Sequence, residues 1–328
     1  MPYVPGTANS FADLLAALRN ACTANGWTLS GNVLSKDGCF AEAIITKLDA
    51  GSAPANGAIQ IKVGNGKDGS NLLTDPCNGK AFIGRLVSTG STYPDWDWPV
   101  NYRIHINSAP DEVVMVVNYG AGQYFQWLMF GKSPAPGNAG TGNWCDASIS
   151  AGGSLMATNT AGVDPTGVTL RADFSYPRWT PIPFWRNNSG GGATPHSHQF
   201  HGVIDATSGA ARWNDNAVPS EAQAPAALQP LIKYSPNAWD SETHLFPLDI
   251  VQFRSSAKTS IIGSIASVRL CRNDYIDPEG LIDLTPDHWK VYPCFRKNDT
   301  ARDGAGTGTQ TDHSGTFAIA VKYDGPLP

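Results

Sequence analysis

Charge is scarce in this sequence. Asp, Glu, Lys and Arg make up 16% of its 328 residues, against about 25% in an ordinary globular chain. The formal net charge is −5, and Lys and Arg form no run or stripe. Nucleic-acid binding needs clustered cations to displace counterions from phosphates, so that class of partner is not expected. Long apolar runs are missing as well. No stretch approaches the roughly 20 residues that cross a bilayer as a helix, so no membrane span is expected. The opening residues, MPYVPGTANS, have neither the basic nor the apolar segment of a secretory leader. The expectation is a chain made in the cytoplasm and not exported by that route.

Signatures of catalysis are equally thin. No G-x-S-x-G occurs, so a nucleophile elbow has no support. GKS at Gly131–Ser133 lacks the glycine of a phosphate-binding loop five positions earlier, where Gln126 stands, and Pro134 follows it. GAGTG at 304–308 does not lie between a strand and a helix, so it is no dinucleotide fingerprint. The 28 carboxylates show no local pairing that marks an acid and a base. Six cysteines, Cys22, Cys39, Cys77, Cys145, Cys271 and Cys294, are far apart with no C-x-x-C among them. That excludes a zinc ribbon or a thioredoxin-like site and leaves buried free thiols as the expectation.

What the chain does have is apolar residues, 41%, together with 34 Gly and 24 Pro. This suits a turn-rich β protein with a sizeable core. One helix is legible: Phe11, Leu14, Leu15, Leu18 and Cys22 share a face, Ser10 is placed to cap it, and Asn25-Gly26 stops it. Strands follow. AIQIKV (58–63) alternates, with Ile59, Ile61 and Val63 to one side and Gln60 and Lys62 to the other. The clearest hairpin is YRIHI, a turn at Pro110-Asp111, then EVVMVVNY, with QYFQWLMF after a glycine turn. IIGSIASVRL (261–270), HWKVY (288–292) and TFAIAVKY (316–323) complete the β pattern. The predicted fold class is α+β, mainly β. A short N-terminal helix-plus-strands unit spans 1–90, and an antiparallel β-sandwich-like body spans 91–328. Stretches 132–143 and 187–240 read as long interface loops.

Two constellations are candidate sites. The first is TPHSHQFHG (194–202), with His196, His198 and His201. Its H-x-H-x-x-H spacing resembles the zinc motif of the metallo-β-lactamase family. Phe200 stands where that family has a carboxylate, which removes the group that works beside the metal. The motif also resembles the H-x-H of some phage spike tips, where three chains meeting on an axis give six imidazoles to one transition-metal ion. The blander reading is a loop or strand whose histidines make hydrogen bonds or face water. The second constellation is aromatic. YPDWDWP and YPRWTPIPFWRN gather Trp96, Trp98, Trp179, Phe184 and Trp185 among prolines and charges. Such rings stack on sugars or anchor a protein interface when exposed, and cover a core when they are not.

Three further stretches resemble structural proteins of tailed bacteriophages. These are NSFADLLAALRNACTANGWTLSGNVLSKDGCFAEAII, NYRIHINSAPDEVVMVVNYGAGQYFQWLMFGKS and DPEGLIDLTPDHWKVYPCFRKN, about a third of the chain together. The resemblance implies a non-enzymatic virion protein of the tail, baseplate or neck, made in the bacterial host cytoplasm. It would assemble with copies of itself and with other virion proteins. No cofactor is expected beyond a structural ion at the histidines. The alternatives are a receptor- or glycan-binding module of the tail tip and, further off, a metal-dependent hydrolase built on the three histidines.

Overall fold

The computed structural model describes residues 1–47, 57–76, 80–84, 96–133, 141–151, 199–200, 243–254, 258–272, 276–294 and 318–327. The chain begins with β1 (Tyr3–Ala8) and helix α1 (Phe11–Ala24). Next come β2 (Thr28–Ser30), β3 (Val33–Lys36), β4 (Cys39–Lys47) and β5 (Gly57–Val63). A small ribbon, β6 (Gly66–Lys67) with β7 (Leu73–Thr74), precedes β8 (Lys80–Gly84). The long strands β9 (Val100–Ser108), β10 (Asp111–Tyr119) and β11 (Tyr124–Lys132) follow, then β12 (Asn143–Ala147), β13 (Ile149–Ala151) and β14 (Gln199–Phe200). The last group is β15 (Phe246–Arg254), β16 (Lys258–Cys271), β17 (Leu281–Leu284), β18 (Asp287–Pro293) and β19 (Ala318–Lys322). The fold is therefore mainly β, with one helix among the described residues, and that helix is too short to cross a membrane.

Helix α1 forms for the reasons its sequence gives. Ser10 accepts the Asp13 amide at 3.1 Å, which satisfies one of the helix's free donors, and Asp13 in turn accepts the amide of Asn9, just before the cap, at 3.1 Å. Leu14, Leu15, Leu18, Ala21 and Cys22 are buried. Asn25 ends the helix, and Gly26 turns the chain with a φ of 86°, a left-handed conformation that suits glycine. Arg19 reaches from the helix to Asn32 and to the Ala43 carbonyl, fixing α1 on the strands behind it.

Three antiparallel sheets make the body. The central sheet runs β1-β9-β10-β11-β12-β14, the N-terminal sheet β13-β8-β5-β4-β3-β2, and the C-terminal sheet β15-β16-β19-β18-β17. Their order in space follows from the two cores. Val113, Met115, Val117, Leu128 and Phe130 of the central sheet pack with α1 and with Ala43, Ile59, Ile61 and Ile83 of the N-terminal sheet. The intervening positions Val114, Val116, Phe125, Trp127 and Met129, joined by Trp144, pack with Leu248, Ile265, Val268, Leu270, Tyr292, Ile319 and Val321 of the C-terminal sheet. Successive side chains of a strand face opposite ways, so β10 and β11 feed both cores at once. This gives the sandwich a third layer, and it explains EVVMVV and FQWLMF. A strand covered on both faces has no polar side to alternate with.

The expected division at residue 90 does not coincide with a break in the hydrogen bonding. β1 pairs with β9, Tyr3 opposite His105, and β13 pairs with β8, Ile149 opposite Phe82. Strands from before and after position 90 share both sheets and one core, so the helix unit and the body are built together. In β5, Gln60 is 5% exposed and so departs from the expected solvent-facing side, while Ile59, Ile61 and Val63 are buried as expected. The expected turn at Pro110-Asp111 lies one residue earlier, since Asp111 already pairs with Ser108. Of the loop 132–143, residues 134–140 lie outside the described residues; of the loop 187–240, all but 199–200 do.

Candidate functional site at the joints between sheets

Several buried polar side chains of the central sheet reach a neighbouring layer. Gln126 of β11 is 1% exposed and faces the N-terminal sheet. Its amide oxygen accepts the Gly84 amide at 2.8 Å and its nitrogen donates to the Gly84 carbonyl at 2.8 Å, as a neighbouring strand would. Asn143 of β12 donates to the Gly64 carbonyl at 2.8 Å and the Gly38 carbonyl at 3.2 Å. These neutral amides satisfy backbone groups at the ends of β5 and β8, where the ladder runs out.

On the other face the ties are ionisable. His105 of β9 is fully buried, and its Nε2 lies 2.8 Å from the Tyr292 hydroxyl of β18. Tyr3 and Tyr323 close round it, with the Tyr3 ring 5.1 Å from the imidazole and 4.9 Å from Tyr323. Two positions along β9, Arg103 forks onto Glu279, Nε to Oε2 and Nη2 to Oε1 both at 3.0 Å. Lys290 of β18 stands 3.7 Å from the same carboxylate and 5.4 and 5.1 Å from the centroids of Tyr3 and Tyr323. Glu279 sits at a φ of 65°, an unusual value for a residue with a Cβ. It is held there by the Pro278-Glu279-Gly280 turn, whose backbone bonds to Val291 at 2.8 and 2.9 Å. The turn thus aims Glu279 across the interface at Arg103.

Burial governs the protonation of this cluster. It pushes the His105 imidazole down to about 3, with the Lys290 and Arg103 charges adding to the effect. It pushes the Tyr292 phenol well above its ordinary value. One hydrogen bond therefore joins an uncharged imidazole to an uncharged phenol. A general acid or base works best with a pKa near the operating pH, and neither group meets that condition. The pair suits a rivet between sheets better than a proton relay.

The residues singled out in the sequence are distributed differently. Trp96 is 5% exposed and belongs to the core beneath α1, its ring 5.2 Å from Tyr119, 4.9 Å from Phe11 and 5.7 Å from Trp98. Trp98 is half-buried against Phe11 at 5.1 Å, next to the exposed Asp97. Trp179, Phe184 and Trp185 lie outside the described residues, as do His196, His198 and His201. Of TPHSHQFHG, only Gln199 and Phe200 are described. β14, inside TPHSHQFHG, pairs with the edge of the central sheet, Phe200 opposite Trp144 and Gln199 opposite Cys145. Among the described residues no three His, Cys, Asp or Glu side chains are grouped to hold a metal.

Cys22, Cys39, Cys145, Cys271 and Cys294 are buried thiols outside any disulfide, while Cys77 lies outside the described residues. Burial pushes the Cys22 thiol up to about 12, and the thiols of Cys39 and Cys294 also rise well above their ordinary value. These thiols are protonated at neutral pH and behave as small hydrophobes.

Sequence reasoning passed over His105, Arg103, Glu279, Gln126 and Asn143. In YRIHI the alternation of Arg103 and His105 with isoleucines reads as a strand with one wet face. The one signal against that reading is the next strand, EVVMVV, which has no wet face at all. No protein-family model matches the chain, and no curated protein matches it.

Proposed function

We propose that the chain is a non-enzymatic structural protein of a tailed-bacteriophage particle, a tail, baseplate or neck component that assembles with copies of itself and with other virion proteins. The observation that carries this reading joins resemblance to architecture. The three stretches that resemble phage structural proteins supply one layer each. Residues 9–45 build α1 with β2 to β4, residues 101–133 build the core of the central sheet, and residues 277–294 build β17 and β18. The stretches that carry the resemblance thus fall in the stacked sheets.

The chemistry of the joints supports the same reading. Gln126, Asn143, His105, Arg103 and Glu279 are engaged between layers, with their hydrogen-bonding capacity directed at neighbouring sheets. A rigid body of this kind suits a part whose work is to hold position in a symmetric assembly, with contacts made by its outer loops and sheet edges.

The test is immunogold labelling. Antibody raised against the chain is applied to particles purified from lysates in which the chain is produced, and label is read by electron microscopy. Label on tail, baseplate or neck is the expected result. Unlabelled particles in a lysate that contains the antigen would overturn the reading. Binding of the purified chain to host-surface glycans would then be measured next.

A further inference from the structure

The C-terminal sheet has two unlike edges. At one of them β15 and β16 outrun their neighbours. β19 pairs with β16 only from Val268 to Cys271. The central sheet ties the stretch before that. Glu112 of β10 accepts the Ala266 and Ser267 amides at 2.9 and 2.7 Å through its two carboxyl oxygens, and the Ser133 hydroxyl accepts the Ser264 amide at 2.9 Å. Among the described residues, 258–263 of β16 pair with β15 alone. From the Asp249–Ser264 pair to the Arg254–Lys258 pair the two strands form a ribbon about 17 Å long. A lone two-stranded ribbon is marginal in water and needs a further strand or a packed face.

Register gives the ribbon two sides. The pairs Val251–Ile261 and Phe253–Thr259 fall on one, and Gln252–Ser260 and Arg254–Lys258 on the other. Leu248 belongs to the core shared with the central sheet, so alternation along β15 puts positions 251 and 253 on the sheet's far side. The opposite edge of the same sheet is β17, with no strand beyond it among the described residues. It alternates in the same sense. Ile282 lies on the far side, packed with Trp289 and Val291, and Leu284 two positions on is 54% exposed. Asp283 falls on the near side, its side chain 65% exposed.

We propose that the ribbon of one copy continues the C-terminal sheet of the next, the free edge of β15 pairing with the free edge of β17. The proposal rests on the self-assembly in the reading above and names the surface that carries it. Joined this way the sheet keeps its two faces. Val251 and Phe253 come beside the neighbour's Ile282 and Leu284, and Arg254, with Lys258 one strand behind it, beside the neighbour's Asp283. A second copy is the occupant because the two edges complement each other, apolar to apolar and cation to carboxylate. The edges differ, so the contact runs head to tail, and its repetition closes a ring or winds a spiral.

Sedimentation of the full chain over a concentration series tests this. Asp283→Lys, and separately Arg254→Glu with Lys258→Glu, should each weaken association by about tenfold or more. All three reversals in one chain should restore it. A monomeric wild type, association unchanged in either variant, or no recovery in the combined chain overturns the proposal. Should a reversed variant fail to fold, Arg254→Lys decides. It keeps the charge and supplies an amine that a carbodiimide couples to Asp283. Coupling in a mixture of isotope-labelled and unlabelled chains should join the two peptides with mixed labels, and absence of any mixed pair overturns the contact. The two readings fail separately. Labelled particles without this contact sink the docking alone, and the contact in a chain absent from particles sinks the virion reading alone.

Discussion

Towards the N-terminal sheet, two of the buried polar side chains of the central sheet are amides, Gln126 and Asn143, and a third, Asp111, is ion-paired with Lys36 at 2.7 Å. Towards the C-terminal sheet they are Glu112 and His105, with the half-buried Arg103 beside them. Both faces are packed with large apolar side chains, so the contrast lies in the ties alone. An amide carries no proton that pH can remove, so the Gln126 and Asn143 ties are insensitive to acidity. A carboxyl and an imidazole do, and the Glu112 and His105 ties are not. The Gln126 and Asn143 ties are therefore fixed and the Glu112 and His105 ties adjustable, and both sets are carried by one sheet.

The comparison can be broken or sharpened in four ways, and core truncation has the largest effect. Trp127→Ala on the face towards the C-terminal sheet and Phe130→Ala on the other face each remove a fully buried ring. Each should cost about 3–5 kcal/mol by urea unfolding. Equal losses would place the difference between the faces in their polar ties; a much smaller loss for Trp127→Ala would mean that the C-terminal sheet is loosely packed as well.

Next come the opposed titrations. Burial holds His105 at about 3, below its unfolded value of 6.5, so its contribution is present above 6.5 and is lost as pH falls towards 3. Glu112, at about 7 against an unfolded 4.5, contributes fully below 4.5 and loses its contribution as pH rises through 7. Between those unfolded values the two slopes, each about 1.4 kcal/mol per pH unit, cancel. Wild-type stability should therefore be nearly flat from about pH 4.5 to about pH 6.5. Glu112→Gln should lose roughly 2–3 kcal/mol on acidification across that window, and His105→Gln should lose a similar amount on alkalinisation. Denaturation curves at a series of pH values read both.

Gln126→Ala strands the Gly84 amide and carbonyl and should cost about 1–3 kcal/mol. Its test is constancy: the loss should be the same at acid and at alkaline pH. Arg103→Ala has the smallest effect, about 1 kcal/mol or less, because the pair with Glu279 is only half-buried. Its loss should shrink as salt is added, whereas that of Gln126→Ala should not.

Local elements were legible where one short segment determines them. Helix α1, with Ser10 as its cap and Gly26 after its end, follows from spacing and capping alone, as does the hairpin of β9 and β10. The third layer was not legible, because nothing in YRIHI says which neighbour meets Arg103 and His105. A polar residue facing water and one facing a distant sheet have the same local pattern. Glu279 illustrates the limit. It reads as part of an acidic turn, and its role depends on a strand more than 170 positions away. Gln60 and Glu112 fail for the same reason. Trp96 was equally undecided, since only the fold fixes whether a tryptophan beside prolines is displayed or buried.

The stacking order also sets a schedule for synthesis. Apart from the two-residue edge strand β14, the described strands of the first two layers lie before residue 152, but the strands that cover the far face of the central sheet start at Phe246. Until those strands leave the ribosome, Val114, Val116, Phe125, Trp127 and Met129 form a bare apolar strip on an otherwise closed two-layer intermediate. At about 5–20 residues per second, that strip stays open for roughly 5 to 35 seconds. During that interval the nascent chain is at its stickiest, and a chaperone or a second nascent copy would find the same surface that the C-terminal sheet later covers.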